Sequence, residues 1–394
     1  MSNNAMKQVI GKAFMDIADA IETGKFGNRV KVGLTTLGSE HGTENLVKGA
    51  ELAARDADFD IVLIGPKVET SLELVEANTE EDMHKRMEEL LDSNEIQGCV
   101  TMHYSFPIGV STVGRVVTPA IGREMFIATT TGTSATDRTE AMIKNALYGI
   151  VAAKAMGIKE PSVGILNVDN ARGVDRALKQ LNDNGYPINF GESKRSDGGT
   201  VMRGNDLLMG SVDVMVTDTL TGNILMKMFS SYATGGSYEA TGFGYGPGIG
   251  FDYERTVLIL SRASGVPVVA NAIKYAAGLA KGNVKEVAKS EFKKAKDAGF
   301  DKIVAEITKA NKKPAAADEE EVVAPPKEVV TGSISGIDIM DLEDAVQKLW
   351  KAGIYAESGM GCTGPIVMVN EAKEQEAMKI LAEAGYVTQE AIPC

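Results

Sequence analysis

Cysteine is scarce in this chain: three in 394 residues, at Cys99, Cys362 and Cys394. Three thiols build no disulfide framework and fit a reducing cytosol. No C-x-x-C pair offers zinc spacing either. Basic charge is also short. Lys and Arg total 41 against 54 Asp and Glu, a net charge of −13, which argues against nucleic acid or an anionic membrane as partner. A small anionic substrate stays compatible, because one site can be positive in an acidic chain. No run approaches the roughly 20 apolar residues of a membrane span. Met1-Ser2-Asn3-Asn4 lacks the basic and apolar regions of a signal peptide. The expectation is a soluble, cytoplasmic protein. What the chain does have is core: 44% of it is hydrophobic, over a length that suggests two or three domains.

Apolar runs alternate with helical patterns along most of the chain. Residues 6–23 place Val9, Phe14, Ile17 and Ile21 on one helical face. Strands are expected at 30–34, 61–64, 98–102, 125–129, 163–166, 212–216 and 266–269, and helices at 78–91, 135–156, 200–209 and 286–309. Strand, glycine-containing loop and helix in succession imply right-handed parallel crossovers. The fold class is therefore α/β, an open, mostly parallel sheet flanked by helices. Residues 1–310 form the large domain. Residues 311–328, rich in Pro, Ala and charge with no apolar period, read as a flexible linker. Residues 329–394 read as a small α+β unit near the lower size limit for folding alone.

Ligands in open α/β sheets bind at the carboxyl ends of strands. Asp218-Thr219-Leu220-Thr221-Gly222-Asn223 falls between the Val212–Val216 strand and a helix carrying Leu225 and Phe229. Thr221 and Asn223 would present a hydroxyl and an amide there, Gly222 would let backbone approach, and Lys227 would add positive charge. The stretch reads equally as a cradle for phosphate or an acyl oxyanion and as an ordinary turn with Thr221 as N-cap. Glu40 and His41 lie beyond the first strand and could manage protons; His103, one of only three histidines, lies beyond the 98–102 strand. A histidine in a loop also has ordinary capping roles. Cys99, inside that strand, reads as a small buried hydrophobe. The segment Gly235–Gly250, with glycine at nearly every second position, is expected to be a mobile lid or docking loop.

Cys362 stands in Glu357-Ser358-Gly359-Met360-Gly361-Cys362-Thr363-Gly364-Pro365. Glycine flanks expose a thiol and free backbone amides to stabilise a thiolate or oxyanion. The plainer reading is a space-filling loop cysteine.

Asp218, Thr221-Gly222-Asn223 and Lys227 together resemble the strand-turn-helix of the phosphate acyltransferase of bacterial phospholipid synthesis. That family makes an acyl phosphate from an acyl thioester and phosphate, on a fold related to phosphotransacetylase. Leu37-Gly38-Ser39-Glu40-His41-Gly42 is similar to its Met-Gly-Gly-Asp-x-Gly segment, with Ser39 and Glu40 replacing Gly and Asp. Pro161–Asn167 resembles the approach to a further family loop, whose acidic residues are replaced by Val168-Asp169-Asn170. The family's Gly-Asn-Thr-Gly loop is not recognisable. The glycine-rich segment and the cysteine-bearing tail instead resemble alpha subunits of component C of the glycine, sarcosine and betaine reductase complex, over essentially the whole chain.

This second resemblance implies partners and a role. The partners are a beta subunit of component C, a selenoprotein component A with a selenocysteine, and indirectly a thioredoxin system. The role is to receive a two-carbon unit as an acetyl thioester on Cys362 and release it to inorganic phosphate as acetyl phosphate. It implies no cofactor or metal bound by this chain. A thioester carrier must be a thiol, since thiolate is both nucleophile and leaving group. Phosphorolysis needs phosphate fixed beside the acyl carbon and donors aimed at the oxyanion. Two readings compete with this one: a free-standing phosphate acyltransferase in which Cys362 is incidental, and a non-catalytic scaffold subunit.

Overall fold

A computed structural model describes residues 29–195, 198–311, 322–337, 341–361 and 364–387, with Gly11, Phe14, Ile17, Ala18 and Ile21 before them. Those five positions are helical and exposed; most of the expected 6–23 helix, and Cys362 and Cys394, lie outside the described residues.

The chain opens with strand β1 (Lys31–Thr35), helix α1 (Gly42–Ala54), β2 (Asp60–Gly65), β3 (Glu73–Glu76) and α2 (Glu80–Asp92). Next come β4 (Gly98–Thr101), β5 (Phe106–Pro107), β6 (Val110–Val117), β7 (Glu124–Thr133) and α3 (Arg138–Ala155). Then follow β8 (Ser162–Leu166), α4 (Ala171–Asp183), β9 (Asn189–Phe190), β10 (Val201–Met202), α5 (Gly204–Met209), β11 (Val214–Val216) and α6 (Thr219–Ser231). The large domain ends with β12 (Gly246–Ile249), β13 (Val257–Ile259), α7 (Val266–Lys281), α8 (Val284–Asp297) and α9 (Phe300–Asn311).

The large sheet runs β10-β8-β11-β7-β6-β12-β13-β4-β1-β2-β3, with β9 beside β8. β13, β4, β1, β2 and β3 are mutually parallel, as are β7, β11, β8 and β10. β6 and β12 join the two blocks through antiparallel pairings, so the blocks run in opposite senses. Side chains alternate across the sheet. Val32, Leu34, Ile61 and Leu63 face one core with α1, α3, α4, α7, α8 and α9. Val62, Ile64, Cys99 and Ile127 face a second with α2, α5 and α6. The result is a three-layer α/β domain, as the alternation of elements predicts.

Two expectations fail for physical reasons. Gly235–Gly250 is not one mobile lid: Gly235–Tyr238 are exposed, but Gly246–Ile249 form β12, every residue of which is buried. Only glycine fits there, because a Cβ on Gly246 would lie 1.7 Å from the Val113 carbonyl oxygen and one on Gly248 would lie 2.4 Å from the Phe106 ring. Residues 266–269 are not a strand but the first turn of α7, with Gly265 as N-cap and Pro267 in the opening turn. The strand lies just before, at Val257–Ile259.

The small unit comprises β14 (Gly332–Ser335), α10 (Leu342–Lys351), β15 (Ala356–Gly361), β16 (Gly364–Val369) and α11 (Glu374–Glu383). Ile334, Leu342, Leu349, Val367 and Leu381 form its own core. Its sheet runs β14-β16-β15-β5 and so takes its fourth strand from the large domain. Gly359 pairs with Pro107, and Met360 with Phe106.

Candidate functional site

The stretch after β11 folds as a capped helix start. The Asp218 carboxylate accepts the Thr221 backbone N–H at 3.0 Å and the Thr221 hydroxyl at 2.7 Å. α6 therefore begins at Thr219, and Thr221, Gly222 and Asn223 lie inside it rather than in a turn before it. The Thr221 hydroxyl is thus committed to the cap, which is Asp218 and not Thr221 itself. The guanidinium of Arg138, at the start of α3, sits 3.1 Å from Asp218 and 3.5 Å from Asp169.

Gly222 fits because the helix lies directly on β7. A Cβ there would fall 1.8 Å from the Thr129 carbonyl oxygen. The contact lets the Asn223 amide donate to the Thr130 carbonyl at 3.0 Å, while the Thr129 and Thr219 hydroxyls meet at 3.0 Å. Lys227 is exposed, with its ammonium 5.5 Å from the Tyr245 ring centroid.

One residue further along β7, Thr131 and Gly132 line a cavity of about 110 Å³. Met102, His103 and Ile259 border it from the opposite block of the sheet, and Met360 and Gly361 from the small unit. Gly361 pairs in register with Gly364. Cys362, which follows Gly361 in sequence, lies outside the described residues. Burial lowers the pKa of His103, and the neighbouring His84 and Arg262 lower it further while Glu80 opposes them. Burial likewise lowers that of His84, whose ring meets His103 edge-on with centroids 6.2 Å apart.

Glu40 and His41 are not among the residues lining this cavity. His41 is exposed at the N-terminus of α1, its Nε2 3.3 Å from the Ala263 carbonyl, and the Glu40 N–H donates to Arg262. His41 borders a separate hollow of about 410 Å³ with Lys48 and Tyr238. The glycine-rich segment joins the two regions. The Tyr245 hydroxyl donates to the buried Glu239 at 2.8 Å, Ser264 donates to the same carboxylate at 2.9 Å, and Tyr238 stacks edge-on to His41.

Sequence reasoning passed over Arg138 and the run Thr129-Thr130-Thr131-Gly132-Thr133-Ser134. The run was a legible signal: six small, mostly hydroxylated residues at the carboxyl end of a strand. Among the described residues, no group of three His, Cys, Asp or Glu side chains could hold a metal ion. No described helix is long and apolar enough to cross a membrane.

The fatty acid synthesis protein family model matches residues 30–368. The chain is 73% identical over 383 residues to the glycine/sarcosine/betaine reductase complex component C subunit alpha of Peptoclostridium acidaminophilum, covering 97% of this chain and 99% of that protein. It is 29% identical over 246 residues to the phosphate acyltransferase of Crocosphaera subtropica, covering 51% of this chain and 68% of that one. A branched-chain phosphotransacylase structure from Enterococcus faecalis V583 superposes with a TM-score of 0.45 at 16% identity, over 64% of this chain and 99% of that one. The chain belongs to the family of glycine/sarcosine/betaine reductase component C alpha subunits, whose catalytic domain is related to the phosphate acyltransferases.

Proposed function

We propose that this chain is the acyl-transfer subunit of a glycine/sarcosine/betaine reductase complex, carrying an acetyl group as a thioester on Cys362 and releasing it to inorganic phosphate as acetyl phosphate. The observation that carries the reading is the meeting of the two folding units. Met360 and Gly361, the residues just before Cys362, border the same cavity as Thr131 and Gly132. The Thr130 carbonyl that holds Asn223 belongs to the peptide group entering Thr131. The phosphate-directed helix start and the approach to the thiol therefore converge on one end of β7.

In this reading a C–O bond forms between phosphate and the acetyl carbonyl carbon, and the C–S bond to Cys362 breaks. Asn223 and Lys227 bind phosphate or the developing acyl phosphate, with Gly222 setting the approach. Glu40 and His41, apart from the cavity, serve the surrounding loop rather than the reacting atoms. Residues 1–310 supply the phosphate site, residues 311–328 the tether and residues 329–394 the thiol. The beta subunit and the selenoprotein component A are the partners, the latter delivering the two-carbon unit from its selenocysteine, with a thioredoxin system behind it. The chain needs phosphate as substrate and no cofactor of its own, and works in the cytoplasm.

The test is arsenolysis. Arsenate replaces phosphate and the acetyl arsenate formed hydrolyses, so with no soluble thiol present acetyl phosphate is lost faster than by its own hydrolysis only if an acetyl-enzyme forms. Full-length protein should show this activity with an acetyl group on the Cys362 peptide, and Cys362→Ala should abolish both. Arsenolysis that survives Cys362→Ala, or label on Cys99 or Cys394, would refute the assignment to Cys362, and activity that appears only with an added soluble thiol would favour a free-standing phosphate acyltransferase.

A further inference from the structure

Phosphorolysis by hydrogen phosphate has a proton to relocate, and the cavity beside Gly361 contains few groups able to hold it. Its described titratable lining residues are His103 and Tyr104. Tyr104 donates to Glu88 at 2.7 Å and accepts from Arg255 at 3.0 Å. Burial pushes its pKa up to about 12, so it keeps its proton near neutrality. His103 is the other, and it is a different kind of group. It is half-buried just beyond β4, with Thr131 and Gly132 across the cavity and Met360 and Gly361 beside it.

We propose that His103 is the acid–base residue of acetyl transfer and that His84 is its positioning residue. The proposal rests on the phosphorolysis reading above. Hydrogen phosphate attacks the acetyl carbonyl carbon through oxygen, and its proton passes to the neutral imidazole as the C–O bond forms. The tetrahedral intermediate then expels the Cys362 sulfur with the C–S electron pair, and the imidazolium returns the proton to that sulfur. The products are acetyl phosphate and the free thiol, with charge and atoms balanced and no oxidant or reductant required.

The surroundings of His103 suit this role. His84 lies edge-on to its ring and hydrogen-bonds its backbone. The His84 Nε2 is buried without a hydrogen-bond partner among the described residues. The charged groups facing His103 are Arg262, from the loop after β13, and Glu80, from the start of α2; His84, also on α2, is the third titratable group. Arg262 and His84 disfavour the imidazolium and Glu80 favours it. A base at neutral pH that becomes an acid only after accepting the proton is what the two-step exchange needs.

The experiment uses the full-length chain in its complex, loaded to equilibrium with acetyl phosphate, freed of it, and then mixed with phosphate across a pH series at one fixed concentration of the hydrogen phosphate dianion. Wild type should lose acetyl from Cys362 with a rate that falls on the acid side, through a pKa below the ordinary histidine value of 6.5. His103→Gln should be acetylated at equilibrium yet react about 100-fold more slowly and lack that acid limb. Imidazole should restore rate to His103→Ala. His84→Gln should keep the limb but move it toward the ordinary value, because a group that disfavours the imidazolium is gone. His103→Gln with acetyl on Cys362, wild-type rate and an unchanged limb would overturn the proposal and leave the phosphorolysis reading standing. Wild-type protein that never acetylates Cys362 would overturn both.

Discussion

Gly222→Ala is the substitution on which helix propensity and tertiary packing give opposite signs. Within an ordinary helix, alanine is favoured over glycine by about 1 kcal/mol. Gly222 lies in α6 against β7, and the new methyl would fall 1.8 Å from the Thr129 carbonyl oxygen, 2.9 Å from its carbon and 3.2 Å from Ile127 Cγ2. The first distance is roughly 1.5 Å short of ordinary van der Waals contact. The obstacle is backbone of a strand paired on both sides, by β6 and β11, so the helix must move rather than the strand. Overpacking of this kind costs about 1–3 kcal/mol, which outweighs the propensity gain. Retreat of α6 also pulls the Asn223 amide from the Thr130 carbonyl, now 3.0 Å away.

Both readouts are accessible. Urea unfolding should show Gly222→Ala less stable than wild type by about 1–3 kcal/mol, with arsenolysis reduced by as much as about 100-fold by the misplaced Asn223. Gly173→Ala in α4 is the control: its nearest neighbour is the Thr139 methyl at 3.7 Å. It should stabilise by about 0.4–1 kcal/mol and leave activity alone. A Gly222→Ala protein as stable and active as wild type would refute the claim that this glycine sets the approach of α6 to β7.

Asn223→Ala and Lys227→Ala should each weaken phosphorolysis about 10- to 100-fold, the loss of a charge-assisted contact. Rate measured against phosphate concentration checks this, and unchanged kinetics in both would remove α6 from the site. Acid stability turns on Glu291, with Lys154 at 2.7 Å, Lys294 at 2.9 Å and the Tyr186 hydroxyl at 2.9 Å. Burial pushes its pKa up, but these three hydrogen bonds outweigh burial and hold it below the usual carboxylate value. A depressed folded pKa adds stability above the unfolded value of 4.5, and that stability is lost as pH falls through the folded one. Unfolding at neutral pH and at about pH 3 should therefore show Glu291→Gln destabilised at neutral pH and the deficit shrinking in acid; a constant deficit would contradict the ion-pair account.

The α/β alternation and most element positions were legible because period-2 and period-3.6 apolar patterns survive in sequence. Val32 and Leu34 advertise β1 by alternation, Ile61 to Ile64 advertise β2 as a short continuous apolar run, and Met83, Met87 and Leu91 advertise α2 by helical spacing. β12 advertised nothing. Gly246-Pro247-Gly248-Ile249 has a strand's place without a strand's residues, since its neighbours Val113 and Phe106 leave no room for side chains at the two glycines. The α7 start was misread for the opposite reason: Val266, Val268 and Val269 suit a strand, and only Gly265 with Pro267 signals a helix beginning.

The candidate site divides along the same line. Asp218 to Asn223 is one continuous stretch, so a strand, a capping residue and a glycine could be read together, although the cap fell three residues earlier than the turn suggested. The cavity is different in kind. His103, Thr131, Ile259 and Gly361 come from four distant segments, and no local pattern says that a two-residue strand at Phe106–Pro107 will accept β15. Both partners of that pairing look unpromising alone: Pro107 cannot donate a ladder hydrogen bond, and Gly359 weakens any strand. Packing inside the small unit demands the glycine, since a Cβ on Gly359 would fall 2.9 Å from the Met368 methyl, and Pro107 sits on the edge strand of that sheet. A site assembled where one folding unit borrows a strand from another is therefore visible in sequence only as residues ill suited to the elements that hold them.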